Sequence, residues 1–245
     1  MFALSQGKSA TPHRLLPFLF LTAAAHAMST TTKPAALIFL HGLGDTPAGW
    51  SSLQKQLPSL QPSLSKLNYI FPAAPMIPLT INGGMTMPGW FDLYDWPIGV
   101  GVKNDSKGLQ AAVDVVEKHV QELEAKGVER ERIVIGGFSQ GGAVALRAVY
   151  NAQQEKSKFA GCVSLSGWVT FEEVVDNGKD VPLFLAHGSY DDKVLFEQQK
   201  HAEMKLAEGG VGKVESRTYS MGHSSHPNEM ADMAKFLNDL LFKDA

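Results

Sequence analysis

The strongest constraint on the fold is a β-branched apolar run that ends in a glycine-rich turn, Ile-Val-Ile-Gly-Gly-Phe-Ser-Gln-Gly-Gly at residues 133–142. The run is typical of a buried strand, and the helix-compatible residues 143–148 follow it. The turn contains the pattern Gly137-x-Ser139-x-Gly141. In such a turn between strand and helix, the serine hydroxyl is exposed and the next backbone N–H is free to bind an oxyanion. We therefore predict that Ser139 is a nucleophile. An ordinary glycine-rich turn is the alternative.

The rest of the chain predicts one α/β domain. Strand-like runs alternate with helical patterns, the strands at 35–40, 67–71, 159–167, 181–188 and 214–220, and the helices at 107–126, 195–208 and 228–241. This alternation is typical of βαβ units. We predict an α/β-hydrolase fold over residues 28–245, with a mostly parallel central sheet, helices on both faces and no separate cap domain.

Residues 1–27 differ from the rest and are excluded from the predicted domain. An apolar run at 15–21 follows basic residues, and small residues at 23–27 offer a cleavage site, which is the layout of a secretory signal peptide. The absence of acidic residues before Asp45 also permits an organellar transit peptide. If Met28 is the working start, residues 1–27 are an unused extension and a cytoplasmic protein is expected.

Charge and composition exclude several classes of partner. The net charge of −3 does not favour nucleic acid or an anionic membrane surface. No apolar run is long enough to be a convincing membrane span. The single cysteine, Cys162, lies in an apolar run and cannot form an intramolecular disulfide, so we expect it in the core.

A second glycine-containing loop follows the first strand, at His41-Gly42-Leu43-Gly44. In an α/β-hydrolase the loop at this place supplies an oxyanion donor. We predict that the backbone N–H groups of Leu43 and Gln140 form the oxyanion hole. His41 is expected to brace the loop, and a role as catalytic base is its alternative.

The acid is predicted in the loop after the strand that ends at His187. A serine hydroxyl needs a base within hydrogen-bond reach and an acid that orients the base, and the chain order in this fold is serine, acid, histidine. Asp191 and Asp192 follow His187, so His187 comes too early to be the base. The two aspartates are the candidates for the acid, and only one of them can serve.

The base is predicted in the loop after the last strand. His223 comes straight after a glycine at the strand end, and His226 precedes Pro227, which opens the final helix. We favour His223 as the base and expect His226 to be a capping or surface residue. A metal pair of these two histidines lacks accompanying acidic or thiol ligands. No metal or cofactor is therefore expected.

Residues 72–105 form a long segment without a regular pattern, rich in proline, methionine and aromatic residues. Disordered segments are poor in such residues, so we expect it to pack. It suits the wall of a pocket for a hydrophobic substrate, and core cover without a ligand role is the alternative.

The chain resembles the phospholipase/carboxylesterase family, which contains the acyl-protein thioesterases. The resemblance covers residues 36 to about 241, and its matching stretches are residues 38–46, 87–92, 136–142, 187–191 and 222–225. In the family the motif serine, the aspartate three residues after His-Gly and the histidine before Ser-Ser form the triad. These correspond to Ser139, Asp191 and His223. Asp192 stands where the family often has proline.

The resemblance implies a metal-free, mainly cytosolic serine esterase that removes fatty acyl groups from cysteines of proteins. It also implies an acyl-binding groove lined in part by the segment after the second strand, for which we predict contacts from Leu79, Met85, Met87 and Trp90. A broad carboxylesterase or lysophospholipase acting on small esters would share the same triad and is the alternative. A monomer or a weak dimer is expected. A binding protein on an inactive hydrolase fold is disfavoured because the triad is intact.

Overall fold

The computed structural model describes Phe2, residues 33–151 and residues 158–243. The predicted leader, residues 1–27, lies outside these described residues except for Phe2. The described residues from 33 onward form one compact unit.

In the described part of the chain, six strands form one sheet whose pairings are all parallel. They are β1 (Ala35–Leu40), β2 (Leu67–Ile70), β5 (Ile133–Phe138), β6 (Gly161–Leu165), β7 (Leu183–Gly188) and β8 (Val214–Tyr219), in the order β2-β1-β5-β6-β7-β8. The sheet confirms the predicted parallel architecture.

Helices cover both faces of the sheet. They are α1 (Pro47–Trp50), α2 (Leu53–Leu60), α3 (Ser106–Glu124), α4 (Gln140–Tyr150), α5 (Glu197–Glu208) and α6 (Pro227–Leu241). Side chains of β1 alternate between two apolar clusters, one that includes α3, α4 and α5 and one that includes α2 and α6. Because both faces are covered, β1 is buried at every position, which explains its continuous apolar sequence.

The prediction that residues 72–105 lack regular structure is wrong in part. This segment contains an antiparallel hairpin of β3 (Met76–Leu79) and β4 (Met85–Pro88), joined across Gly83 and Gly84, which both have positive φ. The prolines at 78 and 88 argue against strands, because proline lacks the backbone N–H that pairs with a neighbouring strand. Proline is tolerated in a short edge ribbon, because its missing N–H need not face a partner strand.

Strand order places a crevice at one end of the sheet. The chain runs from β1 to the edge strand β2 and then returns to β5, on the other side of β1. The loops that follow β1 and β5 therefore diverge at the carboxyl ends of these strands, which is where open α/β sheets bind ligands. Among the described helices, none is both long and apolar enough to cross a membrane.

Candidate active site

The turn between β5 and α4 holds Ser139 in a strained conformation. Its φ is 55° and its ψ is −120°, and among the described residues Ser166 is the only other non-glycine residue with positive φ. Gly137 and Gly141 have no room for a side chain: a Cβ on Gly137 would lie 2.3 Å from the carbonyl carbon of Gly141, and one on Gly141 would lie 2.2 Å from the carbonyl oxygen of Leu40. Glycine at these positions allows the close approach that presents the serine.

Alanine at Gly141 is expected to lower the free energy of unfolding by about 3 kcal/mol, because the added methyl group overlaps the backbone of β1. Denaturant unfolding followed by circular dichroism measures this loss. The matched control is Gly212→Ala, since a Cβ at this exposed glycine meets no atom within 4 Å. An equal effect of the two substitutions would contradict the steric explanation.

Three predicted residues meet in one hydrogen-bonded chain. The Oγ of Ser139 lies 2.8 Å from Nε2 of His223, and Nδ1 of His223 lies 2.7 Å from Oδ2 of Asp191. They come from the loops after β5, β8 and β7, which end at the same edge of the parallel sheet. A carboxylate accepts the proton on Nδ1, which leaves Nε2 free to accept the serine proton.

Asp191 is buried and held in place by its own loop. Its Oδ1 accepts the backbone N–H groups of Lys193 and Val194, both at 2.9 Å. Burial disfavours its charged form, but hydrogen bonds from His187, His223 and the Lys193 backbone hold the pKa of Asp191 well below its ordinary value. The carboxylate is therefore ionised at neutral pH.

The other candidates from the sequence do not hydrogen-bond Ser139, although Nε2 of His187 lies 3.4 Å from Oδ2 of Asp191. The side chain of Asp192 is exposed and pairs with Lys193 at 3.1 Å. His187 is fully buried and donates its Nε2–H to the carbonyl oxygen of Val194 at 2.8 Å. His226 accepts the backbone N–H of Asn228 and so caps α6. None of these three side chains contacts Ser139 through a hydrogen bond in the described structure.

The two predicted oxyanion donors border the cavity at Ser139. Among the hydrogen bonds of the described residues, the backbone N–H groups of Leu43 and Gln140 have no acceptor. The loop that carries Leu43 is braced by His41, whose Nδ1–H donates to the carbonyl of Gly42 at 2.8 Å and whose Nε2 accepts the N–H of Ala74 at 3.2 Å. His41 is thus occupied on both nitrogens.

Hydrogen bonds that the sequence did not reveal join the loop that carries Leu43 to the turn that carries Gln140. The buried amide of Gln140 accepts the N–H of Trp90 at 2.8 Å and donates to the carbonyl of Phe91 at 2.7 Å. The indole N–H of Trp90 donates to the carbonyl of His41 at 2.8 Å. Trp90 is only 2% exposed. It therefore braces the loops from within, and the prediction that it contacts substrate is corrected.

The cavity beside Ser139 has a volume of about 370 Å³ and an apolar wall. The wall includes Leu43, Trp50, Leu93, Trp96, Ile98, Phe138, Trp168 and Val194, and the lining also contains the polar residues Asp45, Ser139, Gln140, His223, Ser224 and Ser225. Such a volume falls in the range of small-molecule sites.

The residues predicted to contact an acyl chain do not line this cavity. Leu79 is fully buried, and neither Met85 nor Met87 lines this cavity. Met85 lies on the hairpin and is 64% exposed. The segment 72–105 reaches the cavity further along the chain, at Leu93, Trp96 and Ile98, because the hairpin takes up its first part.

A buried acid follows the His223 loop. Glu229 of α6 is fully buried, and its Oε2 accepts the N–H of His226 at 3.3 Å. No partner for its Oε1 is present among the described residues. Burial raises the pKa of Glu229 to about 7, against the smaller opposing effect of the His226 N–H. The sequence predicted no role for this residue.

Glu229 should make stability fall as pH rises. The folded protein keeps its proton up to about pH 7, whereas the unfolded chain loses it near 4.5. The stabilising contribution is therefore complete below about pH 4.5 and lost as pH rises through about 7, a change of about 3 kcal/mol. Glu229→Gln is expected to match the wild type at pH 4.5 and exceed its free energy of unfolding at pH 8.5. Urea unfolding at both pH values checks this, and a difference independent of pH would contradict it.

Comparison with known proteins agrees with this site. The model of a family described as Phospholipase/Carboxylesterase matches residues 23–241. The chain belongs to this family. Acyl-protein thioesterase 1 of Debaryomyces hansenii is 35% identical over 228 residues, which cover 88% of this chain and 96% of the relative. Acyl-protein thioesterase 1 of Saccharomyces cerevisiae is also 35% identical, over 84% of this chain and 92% of the relative.

Solved structures of similar sequence share the fold. Arabidopsis thaliana SOBER1 is 33% identical with a TM-score of 0.78, covering 85% of this chain and 99% of that one. Zea mays acyl-protein thioesterase 2 is 28% identical with a TM-score of 0.73, covering 86% and 96%. The predicted α/β-hydrolase fold and family are confirmed. The chain is a serine hydrolase that acts on esters or thioesters.

Proposed function

We propose that this hydrolase removes fatty acyl groups from cysteines of S-acylated proteins, with Ser139, His223 and Asp191 as its catalytic triad. The observation that carries the proposal is the hydrogen-bonded chain from Ser139 through His223 to Asp191 at the edge of an apolar cavity. The names of the related acyl-protein thioesterases supply the substrate class.

In the proposed acylation step, His223 Nε2 takes the hydroxyl proton as Ser139 Oγ attacks the thioester carbonyl. The oxyanion accepts hydrogen bonds from the backbone N–H groups of Leu43 and Gln140, and loss of one such donor costs about 3 kcal/mol of transition-state stabilisation. The C–S bond then breaks, and the cysteine sulfur leaves with the proton from His223.

Deacylation repeats this route with water. The water oxygen attacks the acyl-enzyme while His223 takes a proton from the water. His223 then gives this proton to Ser139 Oγ as the fatty acid leaves. Asp191 remains ionised throughout and keeps the imidazole in the tautomer that has its proton on Nδ1. Its lowered pKa supports this role.

The cavity wall supports an acyl chain as the bound group. Burying each methylene contributes about 0.8 kcal/mol, so an apolar wall favours long chains over short ones. Trp96, Ile98 and Trp168 would contact the chain beyond the reacting carbonyl.

Hydrolysis of an S-palmitoylated peptide tests the proposal against short-chain aryl esters. We expect release of palmitate with a higher kcat/KM than on an aryl acetate, and loss of both activities in Ser139→Ala. Negligible activity on the peptide, with turnover of the aryl esters retained, would overturn the thioesterase proposal and assign a small-ester carboxylesterase.

A further inference from the structure

The cavity wall and the loop of the catalytic acid are joined by backbone hydrogen bonds. Residues 96–99, here named the wall segment, lie parallel to residues 193–195, with Ile98 paired to Val194. The N–H of Ile98 donates to the carbonyl of Lys193 at 2.8 Å, and the N–H of Leu195 donates to the carbonyl of Ile98 at 3.0 Å. The wall segment is therefore docked beside Asp191, although about a hundred residues separate the two in sequence.

One side chain, that of Gln198, holds the last residue of the wall segment. The amide of Gln198, in the first turn of α5, donates to the carbonyl of Gly99 at 2.6 Å. Gln198 is only 2% exposed, and its Oε1 has no partner in the described structure. A buried amide with half of its hydrogen-bonding capacity unused carries a desolvation cost. An apolar side chain would pack at this position without that desolvation cost. The hydrogen bond to the Gly99 carbonyl is therefore what Gln198 contributes beyond packing.

The anchored segment carries two of the cavity's apolar side chains. Ile98 is buried against Val194, and Trp96 is 48% exposed at the wall. Gly99 follows Ile98 directly, so the position of the Gly99 carbonyl limits where the wall segment can lie. Without the Gln198 bond, the two backbone bonds at Ile98 remain, but the segment beyond Ile98 loses its tether to α5.

We propose that Gln198 is a specificity-determining residue, which holds the wall segment in position to bind the distal part of an acyl chain. This inference rests on the proposed function. Gln198 acts through the wall segment and touches neither the reacting carbonyl nor the triad. Gln198 makes none of the hydrogen bonds that hold Asp191, which come from the N–H groups of Lys193 and Val194 and from the rings of His187 and His223. Loss of Gln198 should therefore change binding of long chains and leave the chemistry on short chains intact.

The test compares kcat and KM on p-nitrophenyl esters of two, four, eight and twelve carbons. Gln198→Met keeps the length of the side chain and removes the donor. We expect kcat and KM on the acetate to stay within twofold of wild type, and kcat/KM on the laurate to fall about tenfold through a higher KM. Gln198→Leu also removes the donor and should give the same pattern, which keeps the test valid if one variant folds poorly.

The neighbouring Gln199 provides a matched control. Its amide is equally buried on α5, but it bonds to Ser216, Arg217 and Thr218 of β8 and makes no hydrogen bond to the wall segment. Gln199→Met should lower the melting temperature without changing the dependence on chain length.

Three outcomes would overturn the inference. The first is an unchanged chain-length profile in both Gln198 variants. The second is an equal loss on all four esters, which would mean a structural role only. The third is the same profile change in Gln199→Met. If the wild type hydrolyses neither these esters nor the S-palmitoylated peptide, the proposed function itself fails, and this inference fails with it.

Discussion

Replacing His223 by alanine is expected to lower kcat by about a million-fold, the size of the loss when a serine protease loses its catalytic histidine. His223 is the only side chain hydrogen-bonded to Ser139 Oγ among the described residues. Without it no base takes the hydroxyl proton, and the residual rate comes from binding and the oxyanion donors alone. Steady-state hydrolysis of an aryl ester, with single-turnover measurements for the slow variant, gives the ratio.

His226→Ala is the matched control, because this histidine lies three residues away in the same loop. Its ring caps α6 through the N–H of Asn228 and does not contact Ser139 through a hydrogen bond. We expect a loss of about 1 kcal/mol in unfolding free energy from the missing cap and a kcat within twofold of wild type. A large loss of kcat in His226→Ala, together with a small one in His223→Ala, would reverse the assignment of the base.

Asp191→Asn is expected to lower kcat by about ten-thousand-fold, as the same change does in a serine protease triad. An asparagine amide can donate to Nδ1 of His223, and the ring proton then resides on Nε2, where the serine proton must be accepted. The volume of the side chain is unchanged, so the loss reports the tautomer and the charge. The measurement is kcat for an aryl ester as a function of pH.

Asp192→Asn separates the two carboxylates that the sequence left as alternatives. The side chain of Asp192 is exposed and its contact is with Lys193, so kcat should stay within twofold of wild type. If Asp192→Asn lost the activity that Asp191→Asn retained, the acid in the described geometry would be the wrong one.

The meeting of Ser139, His223 and Asp191 was predictable from sequence because each of these residues follows a strand. Parallel strands end at one edge, so the residues that follow them meet regardless of their separation along the chain. The turn at Ser139 was predictable for another reason. Glycine at 137 and 141 indicates that the strand and the helix approach too closely for a side chain at either position. Local sequence therefore indicated which three side chains meet and the order in which they occur along the chain.

The cavity wall was not predictable residue by residue. Leu93, Trp96 and Ile98 lie in a segment whose path depends on a hairpin with prolines in both strands, a pattern that argues against strands in a single sequence. Because of the hairpin, Leu79 and Met85 lie away from the cavity, and Trp96 and Ile98 line it instead. Tryptophan is a residue type that often lines pockets. Only the tertiary fold shows that the indole N–H of Trp90 bonds to the loop at His41.

Buried polar residues outside motifs were missed for a related reason. Gln198 and Glu229 lie on helices whose sequences look ordinary, and their burial arises from packing against distant loops. A glutamine or glutamate on a helix is usually exposed, so sequence alone gives it no weight.

The most direct test of the central claim is labelling by a fluorophosphonate probe, which reacts with a serine only when that serine is activated as a nucleophile. Intact-protein mass spectrometry should show one covalent adduct on the wild type, peptide mapping should place it on Ser139, and Ser139→Ala should carry none. An unlabelled wild type, or an adduct that persists in Ser139→Ala, would contradict the assignment of Ser139 as the nucleophile.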